Sequence, residues 1–153
     1  MKTKSFADMQ CSIARTLEQV GSWWSLLIIR DAMMGASRFK HFEKSLGITK
    51  NTLTSRLNEL VDSGILERLP SSDGSSYMEY ALTGKGRELA PVMIALAQWG
   101  DKWVVHPDGP SFAFVDTKTN EELPKIWPRR RSGEKLKRGE LSIRPLNDAR
   151  LTD

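Results

Sequence analysis

Cysteine and histidine are almost missing from this 153-residue chain, which holds one cysteine, Cys11, and two histidines, His41 and His106. A lone cysteine leaves the fold without an internal disulfide, and any reversible disulfide at Cys11 has to be mixed or intermolecular. The same scarcity removes the His/Cys sets that hold zinc and the pairing of a nucleophile with an oriented base. Thr83-Gly84-Lys85-Gly86 is too short, and lacks the glycine spacing, for a phosphate-cradling Walker loop. No catalysis, metal or cofactor is therefore expected. Long apolar runs are missing too: the longest, Val92 to Ala97, falls far below the roughly 20 residues that span a bilayer. The start, MKTKSFADMQ, has no apolar h-region. The expectation is a cytoplasmic chain with no membrane partner.

What is present describes a folding chain. Apolar residues make up 39% and charged residues 27%, well away from the weakly hydrophobic, highly charged compositions that stay disordered. The net charge of +4 leans towards a polyanionic partner. It divides evenly, +2 up to Val104 and +2 after it, so neither half is a basic tail.

Ile13, Leu17 and Val20 recur at helical spacing before Gly21, which predicts a short first helix. A second lies in GSWWSLLIIRDAMMG, with Ser22 placed to cap it, Trp23, Trp24, Leu27, Ile28 and Ala32 on its apolar face, and Gly35 ending it. Ser37 is placed to cap a third, with Phe39, Phe42 and Leu46 on one side and Gly47 at its C-terminal turn. Only Ile48 and Thr49 separate it from a fourth, in which Leu53, Leu57, Leu60 and Val61 form the stripe and Thr49 is a natural cap. Helices so closely joined predict a helix-turn-helix. Ile65–Leu69 and Tyr77–Leu82 read as two strands around PSSDGSS, whose Asp73-Gly74 is a hairpin turn signal. A long helix from about Gly84 to Val104 follows, capped by Thr83 and interrupted near Pro91 into two segments in line.

The fourth helix sorts its residues by sign. Lys50, Asn51, Thr52, Ser55 and Arg56 fill its first half, and the acids Glu59 and Asp62 its second. A helix inserted in the major groove points its N-terminal half at base edges and phosphates, where amides, hydroxyls and guanidinium groups read and acids are repelled. On a wheel of 100° per residue, Asn51, Thr52 and Ser55 lie opposite the leucine stripe, flanked by Lys50 and Arg56. Alone, this is also the solvated face of any amphipathic helix. The order of elements around it, two helices, a tight helix pair and a hairpin, is that of a winged helix-turn-helix and favours double-stranded DNA as partner. Arg38 and Lys40, at the start of the preceding helix, are expected on the DNA backbone. A winged-helix protein-interaction module that has lost DNA binding is the alternative, and the sparse wing is its best argument.

The stretches LLIIRDAMMG, RFKHFEKSLGI, NTLTSRLNELVDSGIL and LTGKGREL, within Cys11 to Trp103, closely resemble the HxlR family of bacterial transcription regulators. The resemblance implies a dimeric winged-helix repressor or activator, in this family often of genes that handle small reactive compounds. It also places Cys11 at the family's N-terminal cysteine, a redox or electrophile sensor in some members; the alternative is an unreactive, partly buried thiol. Family wings often carry basic residues, whereas this one reads SSDGSS, so its contacts are expected from the hydroxyls and backbone amides of Ser75 and Ser76.

Leu89, Val92, Leu96, Trp99 and Trp103 are spaced 3, 4, 3 and 4, a seam that wants a second helix and that a homodimer supplies most simply. Two copies would address an inverted repeat with half-sites roughly 34 Å apart. Trp23, Trp24, Trp99 and Trp103 also invite a pocket for a small-molecule effector, with core packing as the simpler role. The Arg129–Arg131 run reads as solvated charge. After His106 the texture turns to Pro, Gly, Lys and Arg, with strands expected near Phe112–Val115, Leu123–Trp127 and Leu141–Arg144.

The fold class read from the sequence is thus α+β: a winged helix-turn-helix domain with dimerising terminal helices and a small β-rich C-terminal appendage. Its expected boundaries are an arm over 1–10, the DNA-binding and dimerisation domain over 11–104, and the extension over 105–153.

Overall fold

The structure, a computed structural model, describes residues 5–144. The expected arm and extension therefore reach beyond it, at 1–4 and 145–153. Eight elements follow in order: α1 (Ser12–Val20), α2 (Trp23–Met33), α3 (Phe39–Leu46), α4 (Lys50–Asp62), β1 (Leu66–Pro70), β2 (Met78–Leu82), α5 (Gly84–Arg87) and α6 (Ala90–Trp103). The boundary between two compact units falls between Leu96 and Ala97, inside α6.

The core of the first unit lies where α2, α3 and α4 meet the hairpin. Ile28, Ile29, Phe42, Leu53, Leu57 and Leu60 are wholly buried, with Ile65 and Leu66 nearly so. Burying a leucine contributes about 2 kcal/mol, whereas an exposed ion pair contributes about 1 kcal/mol at most. The leucine stripe of α4 therefore decides which way that helix faces, and its polar side is left free. Thr49 caps α4 by accepting from the Thr52 N–H at 3.3 Å, and Gly47 takes the left-handed turn (φ 63°) that ends α3.

Ser37 does not cap α3. Its carbonyl accepts the Tyr80 N–H at 2.7 Å, which draws the chain out straight and leaves Arg38 at the N-cap position. Ser22 occupies its cap position without a side-chain hydrogen bond. Trp23, expected on the apolar face of α2, is 83% exposed, because Ile28 and Ile29 fill the core from the following turn.

The strands pair antiparallel, Leu66 opposite Leu82 and Pro70 opposite Met78, around the Asp73-Gly74 turn. Thr83 caps α5 through the Gly86 N–H at 3.1 Å and also donates to the Gly64 carbonyl at 2.6 Å. The expected long helix is divided into two, as the proline suggested, but the break falls at Glu88–Leu89, ahead of Pro91. Proline cannot donate an N–H and fits a first helical turn, so α6 restarts just upstream and Pro91 is its second residue.

In the second unit the expected strands shrink to two isolated bridges, Val115 with Glu122 and Arg129 with Lys135, each closing a tight turn. Asp116 accepts the Lys118 N–H at 2.7 Å in one turn, and Gly133 (φ 90°) shapes the other. Leu123 still donates its N–H to the Phe114 carbonyl at 2.8 Å, but beyond it Gln98 of α6 takes the hydrogen bonds, accepting the Ile126 N–H at 2.7 Å and donating to the Pro124 carbonyl at 3.2 Å. The Trp127 indole donates to the Leu136 carbonyl. In the arginine run, Arg129 donates to the Gly133 carbonyl and Arg130 pairs with Glu134 and Glu140, all at the surface.

Candidate nucleic-acid interface

With its leucine stripe buried, α4 presents Asn51 and Ser55 fully to solvent, together with Lys50 at the helix start. Thr52 is half-buried, and its hydroxyl lies 2.9 Å from that of Thr49, which ties it to the cap. Arg56 is also half-buried: its guanidinium donates to Glu59 at 2.5 Å, and Ser55 donates to the other oxygen of the same carboxylate at 3.0 Å. Glu59 thus holds the two central polar groups of the helix in place. No acid lies in the first turn, so the positive end of the helix dipole adds to Lys50 rather than being cancelled. Lys40 is exposed on α3.

The wing is organised from beneath. The Arg38 guanidinium donates to Asp73 at 2.6 Å, Ser71 at 2.9 Å and Glu79 at 3.2 Å. Ser71 in turn donates to Asp73 at 2.6 Å, and Asp73 accepts the Ser75 N–H at 3.0 Å. Hydrogen bonds from Ser71 and Arg38, then from Ser75, hold the Asp73 carboxyl well below the usual carboxylate range. Burial pushes Glu79 upward, but hydrogen bonds from Ser72, Arg38 and Ser71 outweigh it and leave that carboxyl lowered as well. The paired acids raise Arg38 further, so the whole network is charged at neutral pH.

These bonds already engage two of the groups expected at DNA. Arg38 is engaged by two carboxylates, which ties its guanidinium to the turn of the wing. Ser75 has given its N–H to Asp73, and its hydroxyl is buried without a partner. Ser76 remains exposed. The sequence reading missed Arg68 of β1. It donates to Asn58 on the solvent face of α4 and lies over the Tyr80 ring at 5.9 Å from its centroid, so a wing cation is held beside that face. The signal was available in the helical spacing of Asn51, Ser55 and Asn58, which share a face, but the pairing across to β1 is tertiary.

The other expected residues lie on or next to α1 and α6. Met93 and Ile94 are buried, whereas Val92 and Leu96 are 43% and 49% exposed and Trp99 and Trp103 about 60%. Leu89 is half-buried. On α1, Ile13 and Leu17 are exposed as well, and Cys11 is an exposed free thiol at the N-cap of that helix. Among the described residues, no three metal-ligating side chains converge, and no helix is long and apolar enough to cross a membrane.

Comparison with known proteins matches residues 19–108 to the family described as HxlR-like helix-turn-helix. The HTH-type transcriptional regulator Rv3095 of Mycobacterium tuberculosis is 44% identical over 99 residues, 65% of this chain and 63% of that relative, so the match spans somewhat under two thirds of the relative's length. The crystal structure of PA1607 superposes with a TM-score of 0.83 at 36% identity and covers 92% of this chain and 99% of its own. The redox regulator HypR, in its oxidized form, superposes at 0.54 with 32% identity over 59% of this chain and 94% of its own. The likeness to PA1607 therefore runs on into the C-terminal extension, whereas that to HypR spans a stretch no longer than the winged-helix part.

Proposed function

The chain belongs to the HxlR-like helix-turn-helix family, and from that premise we propose that it is a sequence-specific DNA-binding transcription regulator that acts as a homodimer on an inverted-repeat operator. The observation that carries this reading is the division of α4, with Leu53, Leu57 and Leu60 wholly buried and Asn51 and Ser55 exposed beside Lys50 and Arg56. Asn51 and Ser55 are placed to read base edges in the major groove, and Lys50 and Arg56 to reach phosphates or a guanine. Lys40 and Arg68 add backbone contacts on either side. Ser76 is the wing residue left open to the minor groove, and Arg38 sets the wing's height from below.

The homodimer rests on the apolar residues that the single chain leaves in water. Ile13 and Leu17 on α1 and Val92 and Leu96 on α6 are exposed in the first unit, and Trp99 and Trp103 in the second, apolar side chains of the kind that mark an interaction site. The seam spacing along α6 suits a second copy of the same helix. For Cys11, its exposure and the likeness to a redox regulator support a response to oxidants through an intermolecular or mixed disulfide.

Selection of binding sites from randomised duplex DNA, at low and moderate salt, tests the reading. An enriched inverted repeat is expected. Weak binding that enriches nothing and vanishes with modest salt would leave the interaction-module alternative standing. Addition of diamide to the operator complex then tests the thiol: DNA should be released from the wild type and retained by Cys11→Ser.

A further inference from the structure

Beside α1 and α5 the surface sinks into a cavity of about 250 Å³. Arg15 and Gln19 of α1 and Lys85 of α5 line its polar side, and Val20, Ile65 and Leu89 its apolar side. Its charge is one-sided. No acidic residue lines it, and among the described residues the Arg15 guanidinium has no hydrogen-bond or ion-pair partner. Lys85 is held only by neutral oxygens, Gln19 Oε1 at 2.8 Å and the Ser63 carbonyl at 2.6 Å. Glu18, on the same helix, points elsewhere and accepts from Ser5 at 2.8 Å and the Phe6 N–H at 2.9 Å. Arg15 and Gln19 also lie on the opposite side of α1 from Ile13 and Leu17. A partner helix over that apolar face of α1 leaves Arg15 and Gln19 uncovered.

We propose that this cavity binds a small organic carboxylate, its carboxyl group between Arg15 and Lys85 and its apolar body against Val20, Ile65 and Leu89. Two uncompensated cations beside an apolar wall match the two ends of such a molecule. Paired donors also hold a carboxylate more firmly than a neutral oxygen, because the hydrogen bonds are charge-assisted.

The regulatory consequence rests on the DNA-binding reading above. Ser63 is the C-cap of α4, so Lys85 joins the cavity to the end of the recognition helix. A cation at a helix C-terminus stabilises the last turn. A bound carboxylate draws Lys85 off the Ser63 carbonyl, loosens that turn and lowers DNA affinity.

The test separates the two parts. Benzoate and hexanoate, with benzyl alcohol as the neutral control and inorganic phosphate as the anion without an apolar body, are titrated into the full chain without DNA by calorimetry and thermal shift. Saturable binding of a carboxylate, absent for benzyl alcohol and phosphate, is expected. Arg15→Gln and Lys85→Met should each weaken it about tenfold, the loss of one charge-assisted contact. No saturation at millimolar carboxylate, equal binding of benzyl alcohol, or unchanged binding in the double variant overturns the site, whatever the DNA result. In the second arm, benzoate at constant ionic strength should release operator from the wild type but not from Arg15→Gln, whose affinity without benzoate should equal that of the wild type. Loss of DNA affinity in Arg15→Gln without benzoate would instead make the cavity a phosphate contact and overturn the proposal.

Discussion

Arg38 and Asp73, 35 residues apart in the chain, meet at 2.6 Å beneath the wing, and the turn above them is built on that pair. Asp73 has a lower pKa folded than unfolded. Such a group stabilises the fold above its unfolded value of about 3.9, and the contribution is lost as the pH falls through the folded value. The clamp is therefore complete at neutral pH and opens only in acid below the ordinary carboxylate range. A carbon-13 titration of the Asp73 carboxyl should give a midpoint below that of an unstructured aspartate, with the Ser75 amide shift following it. Arg38→Met should speed hydrogen exchange at the wing amides and leave those of α4 unchanged; equal protection in both proteins would remove Arg38 from this role.

Glu59 restrains Arg56 in the free protein. Glu59→Gln keeps an acceptor for Ser55 but removes the charge that holds the guanidinium, so binding to random duplex should tighten and its log-log salt slope steepen by about one. Arg56→Ala should do the opposite. If it weakens cognate and random DNA alike, Arg56 grips phosphate; if base preference relaxes at one position, Arg56 reads a base.

The dimer proposal predicts that Leu96→Glu, at an exposed position, leaves the fold's helical content intact while shifting sedimentation from dimer to monomer and abolishing tight operator binding. A wild-type chain that sediments as a monomer at micromolar concentration would refute the α6 seam.

Gly86 is fixed by space. A methyl group at its Cα would stand 2.3 Å from the Ile65 carbonyl oxygen, a backbone atom that cannot step aside. Gly86→Ala should therefore lower stability in urea by about 1–3 kcal/mol, the range for forcing atoms into a packed site. Gly84→Ala, two residues earlier and with nothing within 4 Å, serves as its control and should change little.

Much of this fold is written in local signals. The leucine spacing of α4, the Thr49 and Thr83 caps, Gly47 and Asp73-Gly74 each act within a few residues, and the elements they define appear within a residue or two of where they were expected. What was not legible depends on partners distant in sequence. Ser37 looks like a cap until Tyr80 takes its carbonyl, and nothing near Arg38 in the chain announces its pairing with Asp73 and Glu79, 35 and 41 residues away. The leaning of Arg68 on Asn58 and the meeting of Arg15 with Lys85 at one cavity are of the same kind. Strand-like runs predicted strands in the extension, but they cannot reveal that a helix side chain will bond Pro124 and Ile126.

That side chain is Gln98, which offers its neighbour one donor and one acceptor, the same pair that a peptide group in a strand would offer. Along Pro124 and Ile126 the extension treats a helix as if it were the edge of a sheet. Glutamate in place of Gln98 would keep the acceptor and lose the donor; alanine would lose both. A glutamine in the last helix, followed 26 and 28 residues later by the proline and isoleucine that it holds, is thus a compact signature for finding other chains that wear the same tail, and a place to cut the tail loose without touching the head.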